Sequence, residues 1–182
     1  MNMVPKLLIV GGVAGSGKSS LAARLSARQG WPVIEGDDLH PAENVEKMRR
    51  GEALNDMDRW PWLEAMALAV RQRPEAGLNA QGIGGLIMTC SALKRSYRDY
   101  LRRALPHKLR FVFPEVSQEV LLERVTTRAH SYFPPGLLST QLATFERPEP
   151  SEDEGDCLMV DGERKLDDIA ADVETWLVLT ES

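Results

Sequence analysis

The chain has 182 residues, the usual size of one domain, and such a length can bury a core without disulfides or metals. Hydrophobic residues make up 43% and charged residues 27%, proportions that exclude a disordered chain and are typical of a globular enzyme. The formal net charge of −5 makes the chain a poor general binder of nucleic acid, so no nucleic-acid partner is expected.

A short apolar run, residues 7–10, is predicted to form the first strand. The run is too short to span a membrane or to form the hydrophobic part of a signal peptide, and glycines and Lys18 follow it at once. No later segment has the length and composition of a transmembrane helix. We therefore expect a cytoplasmic protein that has no membrane partner.

A glycine-rich segment follows this strand and fits the phosphate-binding pattern G-x-x-x-x-G-K-[ST] without a mismatch. Glycines permit positive φ angles and let backbone N–H groups approach phosphate oxygens, and the next helix directs its positive end at the same oxygens. Lys18 is predicted to bind the β- and γ-phosphates of ATP, and the Ser19 hydroxyl is predicted to bind Mg²⁺. A plain turn would not require Gly17, Lys18 and Ser19 together. The predicted nucleotide-binding residues of the segment are Gly12, Val13, Ala14, Gly15, Ser16, Gly17, Lys18, Ser19 and Ser20.

Further along the chain, short apolar runs alternate with longer amphipathic stretches, which is the pattern of a parallel sheet covered by helices. The later strands are predicted at residues 31–35, 86–89, 111–113 and 157–160. The helices are predicted at residues 18–28, 41–50, 60–73, 94–104, 118–128, 137–145 and 166–179. Residues 74–85, with four glycines and one proline, and the acidic residues 149–156 are predicted loops. Since no repeat or long linker divides the chain, we predict one α/β domain over residues 1–182.

The two cysteines, Cys90 and Cys157, lie far apart in the sequence and lack the spacing of metal ligands. We expect them to be reduced, buried thiols at strand ends, as in a cytoplasmic protein.

The remaining motifs narrow the class of phosphate-loop (P-loop) protein. A GTPase would need the guanine motif N-K-x-D, which the sequence lacks, and larger ATPases carry an apolar strand that ends in Asp. Here Cys90 and Ser91 stand at that place, so a small-molecule kinase remains. Asp37 lies two residues after Glu35 at a strand end that faces the P-loop, where a carboxylate can accept the proton of an alcohol. Capping of the helix near Pro41 is an alternative role for Asp37.

Four motifs in the middle of the chain closely resemble those of the gluconokinase family. They are G-D-x-L-H-P from Gly36, N-x-x-K-M from Asn44, L-N-D-x-D-R-x-P-W-L from Leu54 and C-S-A-L-K-x-x-Y-R-D from Cys90. The resemblance extends from about residue 7 to residue 177. It implies transfer of a phosphoryl group from ATP to the 6-hydroxyl of D-gluconate, a place in the pentose phosphate pathway, and usually a homodimer.

The resemblance also implies a three-layer P-loop kinase fold. Its parallel sheet would have five strands in the order 2-3-1-4-5, with acceptor-binding helices at about residues 37–73 and a helical lid at about 124–147. A sugar acid needs cations for its carboxylate and hydrogen-bonding groups for its hydroxyls. The residues predicted to bind it are Asp37, His40, Lys47, Asp58, Arg59, Ser91, Lys94 and Arg98.

Among these residues, Arg59 and Arg98 are the first choices for the carboxylate, because a planar guanidinium can donate two parallel hydrogen bonds to it. Structural roles are open alternatives for several of them. His40 could serve only in packing, Asp58 could pair with Arg59, and residues 94–98 could form a solvated helix face.

Arg124 and Arg128 lie four residues apart, which places them on one helical face. The family likeness implies that this region is the lid, so both arginines are predicted to bind the nucleotide and to act in catalysis; an exposed basic helix is the alternative. The sequence departs from the family pattern at Ser131, preceded by His130, where a histidine is common. It departs again at Glu35, where Asp is common, so Glu35 is expected to hold Mg²⁺ through a water molecule.

Two other kinds of function stay open. One is a related kinase that acts on shikimate, another sugar acid or adenylylsulfate. The other is a catalytically silent module that binds ATP. The many charged residues in the predicted acceptor half favour an enzyme over a silent module.

Overall fold

The computed structural model describes residues 6–73, 84–105, 108–127, 134–149 and 153–180. Five strands form one sheet in the order β2-β3-β1-β4-β5, and each neighbouring pair is parallel. Their bounds are β1 Lys6–Val10, β2 Val33–Glu35, β3 Gly85–Thr89, β4 Lys108–Glu115 and β5 Cys157–Asp161. The predicted α/β class and strand order are confirmed.

Seven α-helices and two short 3₁₀ turns are found among the described residues. The helices are α1 Lys18–Gln29, α2 Ala42–Arg49, α3 Asp56–Arg71, α4 Arg95–Ala104, α5 Gln118–Thr127, α6 Leu138–Thr144 and α7 Leu166–Leu179. The 3₁₀ turns are Gly36–Leu39 and Pro135–Leu137. The predicted bounds of α7 are confirmed, and the other predicted helices are confirmed with end shifts of a few residues.

The side chains of β1 alternate between the two faces of the sheet, as the period of a strand requires. Leu7 and Ile9 belong to one buried cluster, which contains residues of α3, α4, α5 and α6. Leu8 and Val10 belong to a second cluster, which contains residues of α1 and α7. The sheet is therefore the middle of three layers, and its central strand is buried on both sides.

Helix α3 begins at Asp56, four residues before its predicted start at Trp60. Asn55 caps the helix, because its side chain accepts a hydrogen bond from the Asp58 N–H while the Asp58 carboxylate accepts one from the Asn55 N–H. This reciprocal capping box satisfies two N–H groups at the start of the helix. Pro61 lies inside the same helix. The sequence signal for the early start is the spacing of Asn55 and Asp58.

Both cysteines lie at strand ends, as predicted. Cys90 directly follows β3 and Cys157 begins β5; both are buried, unpaired thiols. Burial raises the pKa of the Cys90 thiol to about 12. None of the described helices combines the length and hydropathy that crossing a bilayer requires. Of the predicted loops, residues 74–83 and 150–152 lie outside the described residues.

Candidate active site

The candidate site lies where the carboxyl ends of β1, β2 and β3 meet at one edge of the sheet. The P-loop leaves β1 there, and its first N–H groups are held by β4 and by the loop that follows β3. The Gly11 N–H donates to the Val112 carbonyl at 2.8 Å, and the Gly12 N–H donates to the Ser91 carbonyl at 3.1 Å. Because parallel neighbours end at the same edge, the sheet itself fixes the P-loop beside the loop that carries Ser91.

Two cavities lie on either side of the P-loop. The first cavity is lined by Ala14, Lys18, Asp37, His40, Met48, Ala53, Leu54, Arg59, Ser91, Val125, Leu137, Thr140 and Gln141. The second cavity is lined by Gly15, Ser16, Gly17, Ser20, Leu21, Pro114, Arg124, Thr127, Gly162, Arg164, Leu166 and Ile169. Lys18 and Asp37, the predicted phosphate ligand and the predicted base, therefore face the same space.

The P-loop has the backbone shape that phosphate binding requires. Gly12, Gly15 and Gly17 have φ angles of 123°, 82° and 93°, in the region that favours glycine. The Lys18 Nζ donates to the Val13 carbonyl at 2.9 Å, which holds the cation over its own loop. The Ser16 hydroxyl is buried and has no hydrogen-bond partner among the described residues. An unsatisfied buried hydroxyl in such a loop fits a site that is completed by a phosphate group.

Ser19 and Glu35 are brought together next to the P-loop. The Ser19 Oγ donates to Glu35 Oε2 at 3.1 Å, and the Thr89 Oγ1 donates to the same oxygen at 2.7 Å. Mg²⁺ is commonly held by one or two protein oxygens together with phosphates and water, and these residues fit that need. Within the described part of the chain, no cluster of three or more His, Cys, Asp and Glu side chains offers another metal site. Sequence reasoning missed Thr89, which orients Glu35.

Asp37 lies in the 3₁₀ turn that follows β2, and the turn packs tightly on β3. The Gly36 N–H donates to Thr89 Oγ1 at 3.1 Å, and the Trp62 Nε1 donates to the Gly36 carbonyl at 2.7 Å. The Asp37 side chain is 63% exposed, toward the first cavity. Pro41, and not Asp37, is the N-cap residue of α2.

His40 forms part of the wall of the first cavity. Its ring stacks on Trp62 with 4.1 Å between centroids, and only 5% of its side chain is exposed. The pKa of His40 is lowered to about 4, chiefly by burial; the charge of Asp37 opposes the shift and the charge of Arg59 adds to it. The imidazole is therefore neutral at physiological pH, and His40 serves in packing while it also faces the cavity.

Arg59 and Ser91, both predicted to bind the acceptor, are brought together in the first cavity. Arg59 is 6% exposed, and its Nη1 lies 3.5 Å from the Ser91 hydroxyl. The predicted alternative in which Asp58 pairs with Arg59 is wrong. Asp58 instead accepts from Lys47 Nζ at 2.6 Å, and this ion pair stands outside the wall of the cavity.

The predicted acceptor residues on and before α4 have structural partners instead. Lys94 Nζ lies 2.8 Å from an Asp56 oxygen that also accepts from the Tyr97 hydroxyl. Arg98 is fully buried, and both of its paired bonds to the Glu154 carboxylate measure 2.7 Å. The prediction that Arg98 binds the acceptor carboxylate is therefore wrong, because its guanidinium is already paired. The alternative of a solvated helix face is also wrong, since Tyr97 and Arg98 are buried.

The predicted lid contributes to both cavities. Arg124 lines the second cavity, and its Nη1 donates to the Gly15 carbonyl of the P-loop at 3.2 Å. The Gln141 Oε1 accepts from the Ala14 N–H at 2.7 Å, a contact that sequence reasoning missed. Gln141 lies on α6, so this bond joins the lid to the P-loop. Arg128, together with His130 and Ser131, lies outside the described residues.

Known proteins are similar to this chain over most of its length. The sequence matches the AAA domain family over residues 7–148. It is 44% identical to a probable gluconokinase of Schizosaccharomyces pombe, over 80% of this chain and 75% of that protein. It is 42% identical to a gluconokinase of Gluconobacter oxydans, over 92% of this chain and 88% of that protein. A crystal structure of a gluconokinase from Sinorhizobium meliloti 1021 superposes with a TM-score of 0.78 at 40% identity, over 98% of this chain and 94% of that chain.

The neutral, buried His40 should make the fold sensitive to acid. Because the pKa of His40 is about 4 in the folded state, against 6.5 for an unperturbed histidine, the unfolded state binds more protons between these values. The free energy of unfolding should therefore fall as the pH drops from 6.5 toward 4, by about 3 kcal/mol from this residue. Denaturant unfolding across that pH range should show a smaller decline in His40→Gln. Parallel pH profiles for the two proteins would contradict the assignment.

The close packing of Gly36 on β3 should make this position intolerant of any side chain. A Cβ at Gly36 would lie 2.1 Å from the Thr89 carbonyl oxygen, which is backbone and cannot move easily. Gly36→Ala should lower the free energy of unfolding by about 1–3 kcal/mol, measured by denaturant titration. Gly136→Ala is the matched control, because a Cβ there meets nothing within 4 Å. Equal unfolding midpoints for the two variants would rule out the close approach.

Proposed function

The chain belongs to the gluconokinase family, and from this premise we propose that it transfers the γ-phosphoryl group of ATP to the 6-hydroxyl of D-gluconate. The product is 6-phosphogluconate. The observation that carries the proposal is that Lys18, Asp37 and Arg59 line one cavity beside the P-loop. A phosphate ligand, a base and a buried guanidinium in one space are the groups that a kinase for a hydroxy acid requires.

The two substrates bind in different cavities, D-gluconate in the first and the nucleotide in the second. The backbone N–H groups of the P-loop and Lys18 hold the β- and γ-phosphates, while the nucleotide extends into the second cavity beside Arg124. The Ser19 hydroxyl and the Glu35 carboxylate, the latter through water, would hold Mg²⁺. Mg²⁺ neutralises phosphate charge when bound. A second arginine from the lid, Arg128, stays a prediction.

Asp37 is the proposed base. Its carboxylate accepts the proton of the attacking 6-hydroxyl as that oxygen forms its bond to the γ-phosphorus. The bond between the γ-phosphorus and the β,γ-bridging oxygen breaks in line, and ADP leaves. Positioning and electrostatic stabilisation supply most of the acceleration in such a transfer.

Arg59 is the proposed ligand of the gluconate carboxylate. Its guanidinium is nearly buried beside Ser91, so a carboxylate that enters the first cavity gains a charge-assisted pair with little competition from water. The neutral His40 and the Ser91 hydroxyl offer hydrogen bonds to the sugar hydroxyls. Lys47, Asp58 and Lys94 support this wall from outside through their ion pairs.

Homodimer formation and a place in the pentose phosphate pathway stay predictions of the family likeness, and a cytoplasmic location stays a prediction from the sequence. Size-exclusion chromatography with light scattering tests the first of these directly.

A panel of acceptors should separate this function from its rivals. ADP release should be measured with D-gluconate, another sugar acid, shikimate and adenylylsulfate at matched concentrations. We expect kcat/KM for D-gluconate to exceed the others by about a hundredfold, because a site built to pair specific polar groups rejects analogues that lack them. A preference for another acceptor would reassign the substrate. ATP binding without acceleration by any acceptor would indicate a silent module.

Replacement of the proposed base should separate binding from chemistry. Asp37→Asn should lower kcat by about 10²–10⁴-fold, the usual contribution of a general base, while the affinity for ATP measured by calorimetry stays roughly the same. Asp38→Asn is the matched control, because Asp38 is exposed in the same turn and stands outside the cavity wall. Retained turnover in Asp37→Asn would exclude the role of Asp37 as base.

A further inference from the structure

The loop that carries Ser91 has an unfavourable backbone. Ala92 has a φ of 43° and is the one non-glycine residue with positive φ among the described residues. A side chain at this φ is strained, and the conformation persists only where the surroundings hold it. Ser91, one residue earlier, accepts from the Gly12 N–H through its carbonyl and faces Arg59 with its hydroxyl. The strain therefore lies directly beside two contacts of the proposed active site.

Arg98 holds the carbonyl groups of this loop. Its Nη1 donates to the Ala92 carbonyl at 3.0 Å and to the Leu93 carbonyl at 3.2 Å. These two peptide groups precede the first turn of α4, and the Leu93 carbonyl also accepts from the Glu146 N–H at 2.8 Å. The guanidinium thus fixes the direction of the two peptide units that follow Ala92.

The opposite edge of the Arg98 guanidinium is fixed by Glu154. Nε and Nη2 each donate to one Glu154 oxygen at 2.7 Å, and Glu154 is 3% exposed. Arg102 donates to the same carboxylate at 3.0 Å and also binds Asp99 and Asp156. The acidic segment before β5, predicted to be a loop, therefore supplies a buried anchor, Glu154, which is not part of the wall of the first cavity.

We propose that Arg98 is a positioning residue for the acceptor site, which holds the strained loop at Ala92 and thereby sets Ser91, with Glu154 as its anchor. The proposal rests on the proposed function. It replaces direct binding of the acceptor by Arg98, and it assigns a role in the reaction to the acidic segment.

The geometry requires a guanidinium at this position. One planar group reaches both Glu154 oxygens with one edge and two carbonyl oxygens with another. The ammonium of a lysine is a single point charge on a flexible chain and cannot span both sets. Arg98→Lys therefore keeps a buried charge beside Glu154 while it loosens the loop.

Steady-state kinetics of Arg98→Lys test the proposal. KM for D-gluconate should rise about tenfold, the effect of one lost hydrogen bond to a positioned group. KM for ATP should change by less than about twofold, because the P-loop keeps its second link from Gly11 to Val112. A general loss of stability would lower the amount of active enzyme and would not produce this split. An Arg98→Lys enzyme with both constants unchanged would overturn the proposal.

Arg102→Lys is the matched control. Arg102 shares Glu154 with Arg98 and also bonds to Asp99 and Asp156, but none of its bonds among the described residues reaches the loop carbonyls. We expect its KM for D-gluconate to stay within about twofold of the wild-type value. An equal rise in Arg102→Lys would overturn the proposal, because the effect would then come from the ion cluster as a whole.

A second variant covers the case in which Arg98→Lys does not fold. In Arg98→Met with Glu154→Met, apolar side chains replace the buried pair, a change that proteins often tolerate. The loop carbonyls still lose the bonds from Arg98, so KM for D-gluconate should again rise about tenfold. A folded double variant with unchanged KM would overturn the proposal.

Hydrogen–deuterium exchange separates this proposal from the proposed function, because it needs no acceptor. A peptide that covers residues 90–94 should exchange faster in Arg98→Lys than in the wild type and in Arg102→Lys. Faster exchange in an enzyme that does not use gluconate would support the loop assignment while the proposed function fails. Equal exchange in all three proteins would overturn the loop assignment, whatever the acceptor is.

Discussion

The hydrogen bond from the Gly12 N–H to the Ser91 carbonyl sets the distance between the two halves of the site. It exists because β1 and β3 are parallel neighbours whose last residues, Val10 and Thr89, lie in register. The chains that leave the two strands therefore continue side by side, one as the P-loop and one as the acceptor loop. Because β2 pairs with the other side of β3, its last residue, Glu35, ends beside Thr89 and delivers Asp37 to the same space.

The charged residues around this edge are of two kinds, and their partners separate them. Most cations near the site are paired with carboxylates of neighbouring elements, and for the fully buried Arg98 this pairing offsets a large cost of burial. Lys47 pairs with Asp58, Lys94 with Asp56 and Arg98 with Glu154. Arg59, by contrast, faces the first cavity beside Ser91. The pairs hold the residues around the cavity in place, and Arg59 and Lys18 give the cavity its positive charge.

How much the sequence predicts depends on the distance over which each signal acts. The P-loop, α7 and the strand cores follow from local patterns, and the strand order followed from the family likeness. The start of α3 was misplaced, although Asn55 and Asp58 carry a local signal. Side-chain partners that lie far apart in the sequence could not be predicted from local patterns. The sequence separates Arg98 from Glu154 by 56 residues, and nothing local distinguishes a paired guanidinium from one that faces a ligand. Gln141, which reaches Ala14 across 127 residues, was missed for the same reason.

The buried pair of Arg98 and Glu154 also bears on how such a protein can change over generations. Loss of Glu154 alone leaves the buried Arg98 charge without its carboxylate, and loss of Arg98 alone leaves Glu154 with Arg102 as its remaining partner, so a lineage that alters one position is under pressure to alter the other. The two residues should therefore be inherited together, although Arg98 lies on helix α4 and Glu154 lies in the segment before β5. Sequence change in the acidic stretch before β5 is then limited at Glu154, because Arg98 needs a carboxylate there while its other edge holds the acceptor loop.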